Sequence, residues 1–177
     1  MSASSQPAGK LPASATDSDV VAFTTLFCLN DPPVFLPYHN KGYGPDWCHV
    51  SAKHHALSEG GRRVHGWALW QYSTGIMADF HSVWEDEGGT LTDITPPKFG
   101  ASQTLFVRDR IAEIYQINGV FALPTNRMSL AQTPYWWDGK PTSDEVWGLP
   151  VTNPHLIKYC SQLGFNPAEL ETSSSYG

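Results

Sequence analysis

The sequence predicts a single α+β domain over residues 18–170, with a cysteine-bearing helix packed on an antiparallel β-sheet. Three observations carry this. A helical stretch follows Asp46 and is closed by Gly60-Gly61, three β runs lie in series between Arg63 and Thr95, and Asn153-Pro154 opens a second helix. Residues 1–17, largely Ser, Ala and Pro, read as a disordered tail, and residues 171–177 as a polar one.

Taken in order, Asp19 to Asn30 is a short apolar segment, helix or strand, stopped by Asp31-Pro32-Pro33, and Val34 to Tyr38 is a brief strand. Asn40 to Pro45 is a Gly-Pro loop. Asp46 is the expected N-cap of a helix from Trp47 to about Ser58. The β runs are Arg63–Tyr72, Gly75–Trp84 and Thr90–Thr95, the last closed by Pro96-Pro97. Short turn-forming stretches between them make an antiparallel meander the economical reading. Thr104 to Val107 adds a fourth strand, Arg108 to Ile117 a short helix, and residues 121–148 an irregular, aromatic region. Asn153 as cap and Pro154 at the first helical position start the last helix, which Gly164 ends.

Composition narrows the function. The chain has 177 residues, 41% hydrophobic and 16% charged, as expected of an ordinary soluble globular domain with a real core. Its formal net charge of −6 and lack of any basic run beyond Arg62-Arg63 argue against nucleic acid or an anionic membrane as partner. No stretch is apolar for long enough to span a bilayer, and residues 1–17 hold no hydrophobic leader segment. Cys28, Cys48 and Cys160 are an odd, sparse set without zinc-ribbon spacing, which suits a reducing, cytoplasmic location.

The chemistry centres on Cys48. In the first turn of a helix the N–H groups are unpaired and the dipole is positive, which favours thiolate and offers donors to an oxyanion. His81 and Asp93 supply the rest. Pairing Trp84 with Thr90 across the EDEGG loop sets His81 directly opposite Asp93, on one face and within hydrogen-bond reach. A carboxylate there fixes the imidazole tautomer and stabilises imidazolium. A loop of even length would instead put the two on opposite faces.

The order of Cys on a helix N-terminus, His on a strand and Asp on the next resembles the core of the transglutaminase-like branch of the papain-like fold. The stretches that carry this are Cys48 heading its helix, Gly60-Gly61, RVHGWALW, HSVWE and TDITP, within residues 46–97. The resemblance implies Cys48 as nucleophile, His81 as base and acid, and Asp93 as orienter. It implies an amide-bond thiol hydrolase or acyltransferase: peptidase, amidase, glutamine deamidase or transglutaminase. No cofactor is expected, and the substrate is a protein or peptide-like amide. Trp47 fits the bulky residue usual beside the cysteine, and Asn40 and Tyr43 are candidates for a side-chain oxyanion donor. His49, His54 and His55 have no place in the pattern, which ends before Val107.

Two other readings compete. His65, Asp79, His81 and Asp93 would share a face and could hold a divalent metal if the turn at Ser73-Thr74 contained three residues; a two-residue turn sets Gly66 opposite His81 and turns His65 away. Alternatively Trp67, Trp70, Trp84, Trp136 and Trp137 line the groove of a non-enzymatic binding module. Trp67 and Trp70 have opposite parity on one strand, so they are not both expected in the core.

Overall fold

The computed structural model describes residues 9–129 and 133–171. Its elements are α1 (Ser18–Leu26), β1 (Val34–Pro37), α2 (Cys48–Glu59), β2 (Arg62–Tyr72), β3 (Gly75–Glu85), β4 (Leu91–Thr92), β5 (Gln103–Arg108), β6 (Tyr115–Ile117), β7 (Val120–Pro124), β8 (Asn126–Met128), β9 (Tyr135–Trp137), β10 (Lys140–Thr142), β11 (Val146–Pro150) and α3 (Pro154–Leu163). The chain is mixed α+β, as expected. The main sheet runs β1-β5-β2-β3-β8-β9-β10, with β4 on the far edge of β3, and β11-β7-β6 form a small second sheet. All these strand pairs are antiparallel.

The centre of the sheet is the β2–β3 hairpin. Tyr72 pairs with Gly75 across a two-residue turn at Ser73-Thr74, and the register runs unbroken to Arg62 opposite Glu85. Paired residues share a face, so His65, Trp67, Leu69, Ile76, Ala78, Phe80 and Ser82 lie on one side, and Val64, Gly66, Trp70, Asp79, His81 and Val83 on the other. The first side meets Val20 and Phe23 of α1, Val50 of α2, and Leu156 and Cys160 of α3 in the main core. The second carries a smaller cluster of Leu36, Val64, Val83 and Phe106. Trp67 and Trp70 are therefore both buried, at 0% and 3% exposure, one on each covered face.

Helix ends follow local chemistry. Gly60 and Gly61, at φ +84° and +75°, stop α2 in a conformation that a side chain would strain. At α3 the Asn153 carboxamide oxygen accepts from the His155 and Leu156 N–H groups, and Gly164 closes the helix in the left-handed region. Among the described residues no helix is long and apolar enough to cross a membrane.

Several expectations are corrected. Residues 10–17 do not trail from the domain: Lys10 pairs with Gln71 through 3.0 and 2.8 Å backbone bonds, and Leu11 packs against the core. The rest of that expected tail, residues 1–8, and residues 172–177 lie outside the described residues. Trp47, not Asp46, is the N-cap of α2; Asp46 bends the chain at φ +68° and makes no capping bond. The segment expected to be helical at 108–117 is instead a turn leading into β6. Asp109 receives the Ile111 N–H and the Trp67 indole N–H, and so bends the chain there. The described residues of 121–148 form short strands rather than an irregular stretch. Asn118-Gly119 and Asp138-Gly139, all at positive φ, form the tight turns that a two-residue hairpin requires.

Candidate active site

The third β run is shorter than expected, and its register is displaced. Trp84 pairs with Thr92 rather than Thr90, because Asp86 closes the loop instead: its N–H reaches the Thr90 carbonyl and its carboxylate takes the Thr90 N–H. The displacement is two residues, so parity is kept and Asp93 stays on the His81 side of the sheet. After Thr92 the chain leaves β3. Asp93 forms a bridge to Tyr38, and the His39 N–H donates to its carbonyl at 2.9 Å.

From that position the Asp93 carboxylate, 0% exposed, reaches His81. Its Oδ2 lies 3.0 Å from His81 Nε2, and its Oδ1 accepts from the Thr95 N–H at 3.0 Å. Burial alone would push its pKa up. His81 beside it, with hydrogen bonds from Thr104 and Thr95, holds it below the ordinary value instead.

The cysteine arrives edge-on. One edge of β3 is paired with β2 throughout; on the other, β8 pairs only Met77–Ala78 and β4 only Trp84–Glu85. Within that gap the Phe80 N–H is taken by the Asn126 side-chain oxygen at 2.9 Å. The N-terminus of α2 fills the opening. Cys48 is hydrogen-bonded to His81, while His49 Nδ1 lies 2.7 Å from the Ser82 hydroxyl. Successive residues of a strand point to opposite faces, so a helix end that touches both meets the strand at its edge.

Two supports hold this helix end, and a third feature makes room beside His81. Tyr159 of α3 stacks on Trp47, and its hydroxyl accepts from the Gly44 N–H and contacts the Ser51 hydroxyl. Arg63 donates to the carbonyls of His49 and Leu170. Gly66, directly opposite His81, has no room for a side chain: a Cβ there would collide with the Val107 carbonyl and the Phe106 ring. The missing side chain lets Phe106 stand edge-on beside the imidazole.

Cys48 is 7% exposed. Burial alone would push its thiol up, but His49 and His81 together outweigh this and hold it well below the ordinary thiol range. Burial would likewise push His81 down, yet Asp93 and Cys48 hold it well above the ordinary imidazole value. Each shift is caused in part by the other group, so the two favour a thiolate beside an imidazolium, with a buried carboxylate behind the ring. Since Nε2 faces Asp93, the ring nitrogen left for Cys48 is Nδ1. The first intrahelical bond runs from the Ser51 N–H to the Trp47 carbonyl, so the N–H groups of residues 48–50 have no acceptor within the helix.

The pair opens into a cavity of about 330 Å³, walled by Trp47, Trp70, Trp137, Trp147, Leu123 and Asn126 among others. Trp47 lines this cavity. Asn40 and Tyr43 do not. The Asn40 side chain accepts from the Gly42 N–H within its own loop. The Tyr43 hydroxyl contacts His54 and His55, in a separate cleft with Trp84, and burial pushes it up to about 12. That cleft accounts for two of the histidines foreign to the resemblance.

The metal arrangement is not assembled. The two-residue turn sends His65 to the opposite face, where it meets Ser82, and Asp79 is engaged by Lys98 at 2.8 Å and the Trp70 indole at 3.1 Å. Among the described residues no group of three His, Cys, Asp or Glu side chains is arranged to hold a metal ion. Sequence reasoning did not place the His49–Ser82–His65 contacts or Asn126. The first was accessible, because the two-residue turn sets His65 opposite Ser82. The second depends on an edge contact that has no local signal. No protein-family model, curated protein or solved structure matches the chain.

Proposed function

We propose that this protein is a thiol enzyme of papain-like, transglutaminase-like architecture that transfers an acyl group from an amide through Cys48, His81 and Asp93. The observation that supports this is the continuous chain of contacts from the Cys48 thiol through the His81 ring to the buried Asp93 carboxylate. A histidine that only stabilised the fold would have no need of both a thiol and a buried carboxylate.

In this reading the Cys48 thiolate attacks the carbonyl carbon, and the S–C bond forms as the carbonyl opens to an oxyanion. The unpaired N–H groups at the start of α2 face the developing charge. The intermediate collapses, the C–N bond breaks, and the proton on His81 passes to the leaving amine. Water or a second amine, deprotonated by His81, then attacks the thioester and releases Cys48. Hydrolysis and transamidation use the same three residues. The aromatic walls of the cavity suit a peptide-like side chain beside the scissile amide, and three free cysteines suit a reducing, cytoplasmic setting.

The test is selective alkylation. Below neutral pH iodoacetamide should label Cys48 faster than Cys28 or Cys160, although Cys28 is exposed and Cys48 is buried. Burial pushes the Cys160 thiol up to about 11, so it serves as the unreactive reference. Slow, equal labelling of all three would refute the assignment.

A further inference from the structure

Cys48 touches two imidazoles, and the amide reaction described above needs only one as base. The two are held differently. His81 is backed by a buried carboxylate, which stabilises a positive ring. His49 is backed by a neutral hydroxyl: its Nδ1 lies 2.7 Å from Ser82 Oγ, which lies 2.8 Å from His65 Nδ1. Ser82 is 0% exposed and His65 6%. A hydroxyl brings no charge to a ring; it fixes orientation and tautomer.

The His49 ring is held on several sides. It packs on Phe80 at 4.7 Å between centroids, meets His65 edge-on at 6.0 Å, and has its own carbonyl anchored by Arg63. Its residue also walls the cavity beside Cys48 and His81. A rigid donor next to the nucleophile is the arrangement that stabilises a developing oxyanion without reorganising. The residues expected in that role, Asn40 and Tyr43, are engaged elsewhere.

We infer that His49 is a catalytic residue whose ring N–H, on the nitrogen not held by Ser82, donates to the oxyanion formed when Cys48 attacks, with Ser82 and His65 as positioning residues. The inference rests on Cys48 being the nucleophile. His49 keeps its proton throughout: it hydrogen-bonds the oxyanion while the S–C bond forms, and releases it when the carbonyl re-forms and the leaving group departs. In a neutral ring the proton lies on that second nitrogen when the Ser82 hydroxyl donates to Nδ1. Burial, with Arg63 next, holds His65 well below the ordinary imidazole range, so its ring is neutral and the chain ends in an uncharged group.

Two probes of Cys48 in the full chain separate this role from its alternatives. Iodoacetamide reports the thiolate by a displacement that forms no oxyanion. p-Nitrophenyl acetate acylates the same sulfur through an oxyanion, and its leaving phenolate needs no proton. His49→Asn keeps an amide near the Ser82 contact but has no group at the distal nitrogen; His49→Gln carries an amide N–H out to that place. Because His49 helps hold the Cys48 thiol down, the alkylation midpoint should rise in both variants; above that midpoint, where the two probes are compared, alkylation should stay within about threefold of the parent. Acylation should fall by about 100-fold in His49→Asn and recover at least about tenfold of that in His49→Gln. Ser82→Ala should slow acylation alone, by about tenfold. Equal loss of both reactions in His49→Asn above that midpoint would show that His49 acts through the thiolate alone and overturn the inference. Unchanged acylation in that variant would overturn it as well. If the parent Cys48 reacts with neither probe, the failure lies with the nucleophile assignment itself.

Discussion

Asp93→Asn is the substitution that tests the electrostatics of the site. It preserves volume in a position that is 0% exposed, so the fold should survive and the change should be chemical. Asp93 Oδ1 receives the Thr95 N–H and Oδ2 faces His81 Nε2 at 3.0 Å. An asparagine must keep its oxygen toward the Thr95 donor, so its NH₂ would face His81. The ring would then have to accept at Nε2 and carry its proton on Nδ1, toward Cys48, where the base needs a lone pair. Losing a charge-assisted hydrogen bond of about 1.5–3 kcal/mol removes the same stabilisation from the imidazolium. At 1.36 kcal/mol per unit, this is a shift of about one to two pH units. The sign follows from the pair: His81 loses its upward shift, so Cys48 loses part of its downward shift. The midpoint of the iodoacetamide rate against pH, read at Cys48 by mass spectrometry, should therefore rise by about one to two units. Turnover of an amide substrate should fall on the order of 10⁴-fold through the wrong tautomer. A midpoint unchanged from the parent, in a variant that melts normally, would refute the thiolate–imidazolium pair.

Acid should act through His65. Its folded pKa lies well below the ordinary imidazole value of 6.5, so the unfolded chain binds the extra proton first; stability is intact above 6.5 and lost as pH falls below it. The urea midpoint should drop between pH 7 and 5, and His65→Asn, which keeps an amide near the Ser82 contact, should flatten that dependence. Gly66→Ala should cost about 1–3 kcal/mol by forcing a Cβ against the Val107 carbonyl and Phe106, read as a lower urea midpoint. Because Phe106 stands beside His81, the same variant should also slow alkylation of Cys48.

The parts of this fold legible in the sequence are those governed by neighbours in the chain. Gly60-Gly61 after a helical run, and Asn153-Pro154 with Gly164, satisfy or stop helix ends whatever surrounds them, and they stand where expected. The β2–β3 hairpin was legible for the same reason, as two long runs joined by a tight turn. Asn118-Gly119 and Asp138-Gly139 carried an equally local signal, but their strands are only three to five residues long, too short for alternation to be seen. The 104–107 strand was legible as a strand but not as a neighbour. It pairs with β1 and β2 on the far side of the hairpin from β4, so the chain crosses over after the expected meander of β2, β3 and β4.

The site divides along the same line. His81 and Asp93 were found together because they are twelve residues apart around one loop, and parity tolerates a register error of two. What parity could not supply is how Asp93 reaches His81: beyond Thr92 it is held by Tyr38 and His39, residues remote in sequence. Cys48 was legible from its place at a helix start, although the cap is Trp47, which makes no side-chain capping bond and is held instead by stacking on Tyr159 of α3. The edge-on approach of α2 was not legible at all, because it follows from a gap between β8 and β4 that exists only when both strands are short. That gap gives His49 its role. A helix lying flat on the sheet could present Cys48 to one face only, whereas a helix end entering the gap sets Cys48 against His81 and His49 against Ser82 at once. Closing the gap by extending β4 along β3 would displace the helix end and separate both contacts together. Coincident loss of Cys48 reactivity and of the His49–Ser82 hydrogen bond is thus the mark of edge-on docking.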